Sequence, residues 1–276
     1  MKTFVSDLKQ SWNDRPFLWN EFEEGLAKTI PLPKDAKVLI LGPHPDDPES
    51  VAITCRFLMR LGCDIWVTIV TLSPSGVEDE YVRRWANSDS IDLETRKVEV
   101  RRREQILATE KLGLRLNRLT FLGIEEDKGP DAPHHSARIK EHLVSVGPDI
   151  VILPIGKDPN QTHARVYQIF RENARDLTLK KEKPVIALYN EDPKTVEIRD
   201  DLFVLFGEES AEWKRSLLRI HDSQQQRNMN NRGMGFDERI LRMNYLSYKR
   251  FQEMFPHVGR PAKYAEVFEI ELFDFP

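Results

Sequence analysis

Strand-sized apolar runs alternate with helical stretches along most of this chain, and that alternation constrains the fold more than any other feature. Parallel neighbouring strands need a long crossover, which is usually a helix. The pattern therefore predicts an α/β protein of three layers, with a mostly parallel sheet and helices on both of its faces. The predicted strands are Lys37–Gly42, Asp64–Leu72, Arg118–Leu122, Asp149–Pro154 and Pro184–Tyr189, and the helices between them are Glu49–Leu61, Ile91–Leu112, His134–Val146 and His163–Leu177.

The pattern weakens after about residue 195, although periodic segments continue to the end of the chain. No linker-like stretch separates a second domain, so we expect residues 1–276 to form one domain, with residues 195–276 completing the substrate site. The predicted elements of this part are strands at Phe203–Phe206 and Tyr264–Leu272, helices at Glu209–Arg219 and Asp237–Phe251, and a loop at Asn228–Gly235.

Charge and cysteine content exclude several classes of protein. The chain has 41 basic and 45 acidic residues, a formal net charge of −4, and no basic footprint for nucleic acid. Its two cysteines, Cys55 and Cys63, lack the spacing of a zinc ribbon and fit buried thiols in a reducing cytosol. No signal-like segment or membrane-length apolar run is present. We expect a soluble cytoplasmic protein without a membrane span, and homo-oligomer formation stays open.

Histidine and carboxylate residues follow two of the predicted strands at the point where each strand ends. After the first strand come His44, Asp46 and Asp47, and after the strand that ends at Pro154 comes His163. Ligands of open parallel sheets bind beyond the carboxyl ends of the strands, so these side chains are expected to meet. Two imidazoles and one carboxylate, with open positions for water and substrate, suit a catalytic zinc ion. The same donor set also matches the iron(II) facial triad, and ligand type alone does not decide between them.

A purely structural interpretation competes with the metal site. Asp46 or Asp47 is a suitable N-cap for the following helix, and His44 is compatible with a surface loop. The position of both segments at one edge of the sheet favours metal binding over capping. Because Asp46 and Asp47 are adjacent, their side chains diverge, so one can bind a cation while the other faces elsewhere.

These residues also resemble the motifs of a known family. His44-Pro45-Asp46-Asp47, with Glu49 two residues further on, resembles the HPDD-(x)-E signature of the LmbE-like (PIG-L) de-N-acetylases. His163 matches the last histidine of that family's second motif, usually His-Pro-Asp-His. The ordered set is far more specific than HPDD alone, and the resemblance covers most of the chain. Further matching segments are Arg101-x-x-Glu104, Phe121-Leu122-Gly123, His221-Asp222-Ser223-Gln224 and Tyr264-Ala265-Glu266-Val267-Phe268.

The resemblance implies a Rossmann-like zinc enzyme that hydrolyses acetamido groups, usually on N-acetylglucosaminyl conjugates. Carried over by position, His44, Asp47 and His163 would ligate one Zn²⁺ per chain, and Asp46 would be the general base. Zinc lowers the pKa of bound water to about 7, which suits amide hydrolysis near neutrality. Fe²⁺ or another divalent ion remains an alternative metal. The implied partner is a small amino-sugar or acylated conjugate.

The second motif departs from the family pattern, because Asn160 takes the place of its first histidine. An asparagine can donate a hydrogen bond to the reacting carbonyl, but it cannot transfer protons as imidazole does. Asp46 would then act as both base and acid, or His221 or His257 would contribute. For substrate binding the resemblance implies Arg101 on the long helix. It also implies Glu126, where relatives often carry an aspartate that contacts sugar hydroxyls.

Three other functions stay open. The altered second motif is compatible with an amidase or deacylase that acts on a larger conjugate or natural product. It is also compatible with a catalytically weakened, sugar-binding homologue, although binding alone does not need a carboxylate base beside a metal. An iron oxygenase fits the donor set but not the predicted α/β fold.

Overall fold

The computed structural model describes residues 16–21, 35–84, 92–124, 133–258 and 261–274, and the strands in these ranges form one sheet. The strands are β1 (Phe17–Asn20), β2 (Lys37–Gly42), β3 (Asp64–Ile69), β4 (Leu119–Phe121), β5 (Ile150–Pro154), β6 (Val185–Asn190), β7 (Leu202–Phe206) and β8 (Tyr264–Phe273). Their order across the sheet is β1-β7-β8-β6-β5-β2-β3-β4. Among these strands, only β8 runs antiparallel to its neighbours, β6 and β7.

Helices cover both faces of this sheet, which confirms the predicted three-layer architecture. One core contains side chains from α2, α4 and α7, and the core on the opposite face contains side chains from α5 and α6. The α-helices in the described ranges are α1 (Asp47–Ser50), α2 (Ala52–Arg60), α3 (Asp79–Arg83), α4 (Leu93–Lys111), α5 (Pro133–Val146), α6 (Gln161–Lys181), α7 (Glu208–Leu218), α8 (Asp222–Arg232) and α9 (Phe236–Met254).

The central strands are apolar on both faces because helices cover each of them. In β2, Val38 and Ile40 belong to one core, and Leu39 and Leu41 belong to the other. This explains why such strands appear in the sequence as unbroken apolar runs. The strand order places β2 in the interior of the sheet, between β5 and β3.

The predicted loop at Asn228–Gly235 is wrong for its first five residues, since α8 continues to Arg232. The helix is polar around its whole circumference and rich in asparagine, so neither periodicity nor propensity indicates it. Contacts from other elements stabilise it: Glu104 accepts hydrogen bonds from the backbone N and the hydroxyl of Ser223, each at 2.7 Å. The helix ends at Gly233, whose φ of 64° is a left-handed conformation that glycine adopts without strain.

Two other differences concern element boundaries. The predicted helix Glu49–Leu61 is divided at Val51 into α1 and α2, and β1 at the edge of the sheet was not predicted. Within the described ranges, no helix combines the length and the apolar character needed to cross a bilayer.

Candidate active site

The site lies where β2 and β5 end side by side. The two strands are parallel neighbours, with Ile40 paired to Ile152, so the residues after each strand emerge at one edge. Gly42 allows the chain to turn tightly there, because a Cβ at this position would lie 3.0 Å from Cδ of Pro48. The loop that follows β2 carries His44, and the segment after β5 leads to α6, which carries His163.

His44, Asp47 and His163 converge, as the sequence predicted. One nitrogen or carboxylate oxygen from each residue lies within 4.8 Å of the corresponding atoms of the other two. His163 Nε2 is 3.2 Å from His44 Nδ1 and 3.5 Å from Asp47 Oδ1. His44 Nδ1 is 3.4 Å from Asp47 Oδ2, and all three side chains are almost completely buried. Buried ligand atoms that face one another in this way could hold a cation between them, and two imidazoles with one carboxylate fit zinc.

Asp158 orients His163. Its Oδ2 is 2.9 Å from His163 Nδ1, while its Oδ1 accepts a hydrogen bond from the backbone N of Asn160 at 2.6 Å. Although burial opposes protonation, Asp47 and Asp158 raise the pKa of His163 well above its ordinary value. The two carboxylates therefore favour a positive charge at this imidazole. A carboxylate hydrogen bonded to the outer nitrogen of a histidine is the usual support of a metal ligand.

Asp46 does not cap the helix that follows it. It occupies the N-cap position of α1 in a left-handed conformation (φ 91°), and its side chain makes no capping hydrogen bond. Its Oδ2 instead lies 3.3 Å from Nη1 of Arg101, which also donates from Nη2 to the carbonyl of Pro45 at 2.7 Å. The backbone N of Asp46 donates to Gln105 Oε1. Because of these contacts, the side chains of Asp46 and Asp47 point in different directions. A strained backbone conformation that is held by its surroundings is common at functional sites.

Arg101 lines the site but is only 2% exposed, and its guanidinium group binds the loop that carries Asp46. These contacts indicate that Arg101 orients Asp46. The substrate-binding role predicted from sequence stays a prediction. The other predicted substrate residue, Glu126, lies outside the described residues.

His221, which was predicted to contribute to catalysis, is not part of the cavity wall. It is 0% exposed and does not line the cavity, and its Nε2 is 3.0 Å from Glu49 Oε2. Glu49 also accepts a hydrogen bond from Gln105, the residue that binds the backbone N of Asp46. Burial opposes protonation of His221, but Glu49 raises its pKa above the ordinary value. This geometry favours a positioning role through Glu49 and Gln105.

The third residue predicted to be catalytic, Asn160, lies at the start of α6 and lines the cavity. Its Oδ1 accepts a hydrogen bond from the backbone N of Thr162 at 3.0 Å, which makes it the N-cap of that helix. Because the side-chain oxygen of Asn160 accepts this hydrogen bond, its amide nitrogen is the group that can donate to a ligand.

A cavity of about 300 Å³ lies beside the converging residues. The first part of the chain contributes Asp46, Asp47 and both histidines to its wall. The C-terminal part contributes six further lining residues, namely Gln224, Arg227, Asn228, Arg232, Phe236 and Arg239.

Several residues in or behind the site were not predicted as functional. Asp158 lies five residues before His163, in the segment that follows the strand ending at Pro154. This position is the sequence feature from which its role could have been predicted. Gln105 and the arginines of α8 and α9 gave no signal, because their roles depend on contacts between distant parts of the chain.

The fold and the convergent donors together define a Rossmann-like α/β protein with a candidate metal site at the carboxyl edge of its parallel strands. Residues 39–174 match the sequence profile of the family described as PIG-L: GlcNAc-PI de-N-acetylase. This match agrees with the family that the motifs of the chain predicted. No curated protein matches the chain in sequence.

Solved structures share this fold at low sequence identity. The N,N'-diacetylchitobiose deacetylase of Pyrococcus horikoshii is 16% identical, with a TM-score of 0.64 over 85% of this chain and 83% of its own. A deacetylase of teicoplanin biosynthesis is 16% identical, with a TM-score of 0.56 over 86% of this chain and 98% of its own. GalB, the 4-carboxy-2-hydroxymuconate hydratase of Pseudomonas putida KT2440, is 19% identical, with a TM-score of 0.64 over 85% of this chain and 95% of its own. The same fold thus carries deacetylases and a hydratase, so fold alone does not determine the reaction.

Proposed function

We propose that this protein is a zinc-dependent hydrolase that removes the N-acetyl group from an amino-sugar conjugate. The observation that carries the proposal is the convergence of His44, Asp47 and His163 within 4.8 Å, with the separate carboxylate of Asp46 beside them. The match of residues 39–174 to the PIG-L family supports the same reaction. Two deacetylases with this fold agree with it.

The three convergent residues would hold the zinc ion. A zinc ion bound there would supply Lewis acidity, which makes water more acidic and polarises the amide carbonyl. Asp158 would keep the imidazole of His163 in the orientation that presents Nε2 to the site.

Asp46 is the proposed general base. Its carboxylate takes a proton from water as the water oxygen bonds to the carbonyl carbon, and it returns the proton to nitrogen as the C–N bond breaks. Arg101 contacts this carboxylate and fixes its orientation in the cavity wall. The amide nitrogen of Asn160 donates to the carbonyl oxygen, where negative charge develops. His221 positions this machinery through Glu49. The C-terminal part, from about residue 195, completes the substrate site.

Replacement of the base tests the proposal. Asp46→Asn should lower kcat for acetate release from N-acetylglucosaminides by about 10²–10⁴-fold, because the amide cannot accept the proton. Zinc content, measured by elemental analysis, should stay at one per chain. His163→Ala should instead lose the metal. Asp176→Asn, on the exposed side of α6, is the matched control. Acetate release by Asp46→Asn at the wild-type rate would exclude the proposed base.

A second candidate is the addition of water to an activated carbon–carbon double bond. Asn160 favours it, because hydration has no amine leaving group and so does not need the histidine that Asn160 replaces. The hydratase with the same fold agrees with this candidate. Loss of ultraviolet absorbance from an unsaturated dicarboxylic acid, without acetate release from any N-acetyl sugar, would favour hydration over deacetylation.

A further inference from the structure

Cationic side chains from the C-terminal part surround the mouth of the cavity. Arg227 and Arg232 lie on α8 and Arg239 lies on α9, while Lys194 belongs to the connection between β6 and β7. Arg227 and Arg239 are half-buried, and the other two side chains are exposed. All four line the same cavity as His44 and His163.

The carboxylates of the cavity wall do not pair directly with these cations, although Asp192 and Asp46 act to raise the pKa of Arg239. Asp46 is paired with Arg101, and Asp47 faces the two histidines, which leaves Asp192 as the remaining carboxylate of the wall. Within the ranges that the structure describes, none of the four C-terminal cations forms an ion pair with a carboxylate. Arg239 donates instead to a neutral oxygen, Asn228 Oδ1, at 2.6 Å.

Such clustering is unfavourable without a ligand. Burial and the positive charge of Arg232 lower the pKa of Arg239, so the folded chain holds like charges close together in a partly buried place. Surface arginines are normally solvated or paired, and half-buried guanidinium groups around an enclosed space are typical of sites for carboxylate or phosphate.

We propose that the substrate of this site carries an anionic group, carboxylate or phosphate, which Arg227 and Arg239 bind while the acetamido group lies at the metal site. This inference rests on the proposed function. Arg232 and Lys194 would attract the anion at the mouth of the cavity. A second cavity of about 460 Å³ shares Arg232 and Arg239 with the first and continues toward Arg242 and Leu246. Arg239 lies where the two cavities meet, so there is room for the substrate to extend past the anion.

Matched sugars test the proposal on the zinc-loaded protein. Acetate release would be measured with methyl N-acetylglucosaminide, N-acetylglucosamine 1-phosphate and N-acetylmuramic acid, which are neutral, phosphorylated and carboxylated. We expect kcat/KM for at least one anionic sugar to exceed that of the neutral sugar by about 10–100-fold, the usual range for charge-assisted hydrogen bonds. The better anionic sugar identifies which anion the site prefers. In Arg227→Gln and Arg239→Gln the ratio of anionic to neutral kcat/KM should fall toward one. Arg60→Gln, an exposed arginine at the end of α2, should keep the ratio.

Binding of amine products separates this proposal from the reaction itself. Calorimetry with glucosamine 1-phosphate, muramic acid and methyl glucosaminide should show tighter binding of an anionic product, and the two arginine variants should lose that difference. Acetate release without preference for anionic sugars would overturn the anion site and leave the proposed function intact. Anion-dependent binding without acetate release from any sugar would support the anion site and count against deacetylation. Equal binding of all three products, or absence of binding by all three, would overturn the anion site.

Discussion

Lys214→Met would measure how strongly a buried ion pair holds the helices that support the site. Lys214, on α7, is fully buried, and its Nζ donates to the carbonyl of Ser50, to Asn244 Oδ1 and to Glu266 Oε1 at 2.5, 2.9 and 2.7 Å. Glu266, on β8, also accepts hydrogen bonds from the backbone N atoms at the start of α2. The pair thus joins the end of α1, the start of α2 and the sheet.

The expected cost follows from burial. Methionine keeps most of the volume of the lysine stem, so the main loss is the ammonium group and its three hydrogen bonds. Removal of one partner from a buried ion pair leaves the other charge uncompensated and costs about 3–5 kcal/mol. Lys263→Met is the matched control, because Lys263 pairs with Glu208 at 3.1 Å while both side chains are 61% exposed. Exposed pairs of this kind contribute about 0–1 kcal/mol.

Urea unfolding followed by tryptophan fluorescence would measure both variants, with a chelator present so that metal binding does not contribute to stability. A double variant, Lys214→Met with Glu266→Gln, should recover part of the loss because the unpaired buried charge is removed. The reasoning fails if Lys214→Met lowers the free energy of unfolding by no more than Lys263→Met does. It also fails if the double variant is less stable than Lys214→Met alone.

Two further predictions concern the residues behind the site. Asp158→Asn should weaken zinc binding by about 10–100-fold, because the imidazole of His163 loses the carboxylate that orients it; competition with a chromophoric chelator measures this. His221→Gln should alter the pH dependence of stability. Although burial opposes protonation, Glu49 raises the pKa of His221 above 6.5, so its stabilising contribution is complete below that pH and is lost as pH rises through the raised pKa. The stability of the wild type relative to His221→Gln should therefore fall as the pH rises above about 6.5.

Matched variants serve as controls for these two predictions. Asp176→Asn removes an exposed carboxylate from α6 and should leave zinc affinity unchanged. His257→Gln removes an exposed histidine outside the cavity and should leave the pH profile of stability unchanged. Zinc affinity of Asp158→Asn equal to that of Asp176→Asn would refute the orienting role. A difference between wild type and His221→Gln that does not change with pH would refute the coupling to Glu49.

The sequence by itself determined where the candidate metal-binding residues lie. Lys37–Gly42 and Asp149–Pro154 are apolar runs that only a strand covered on both faces explains. Once both are strands of one parallel sheet, the residues that follow them must lie near the same edge. The convergence of His44, Asp47 and His163 follows from these two strand patterns. Such patterns are local, so they can be recognised without knowledge of distant contacts.

Other features depended on contacts between distant segments, which no local pattern contains. Adjacent residues Asp46 and Asp47 have the same chemistry, and only the packing of Arg101 against one of them separates their roles. The polar helix α8 forms because Glu104 binds its first turn, whereas its own sequence resembles a loop. Folding of that segment into a helix and its packing beside α9 place Arg227 and Arg239 around one cavity. Tertiary structure decided these points because the free energy that selects them comes from pairs of residues far apart in the chain.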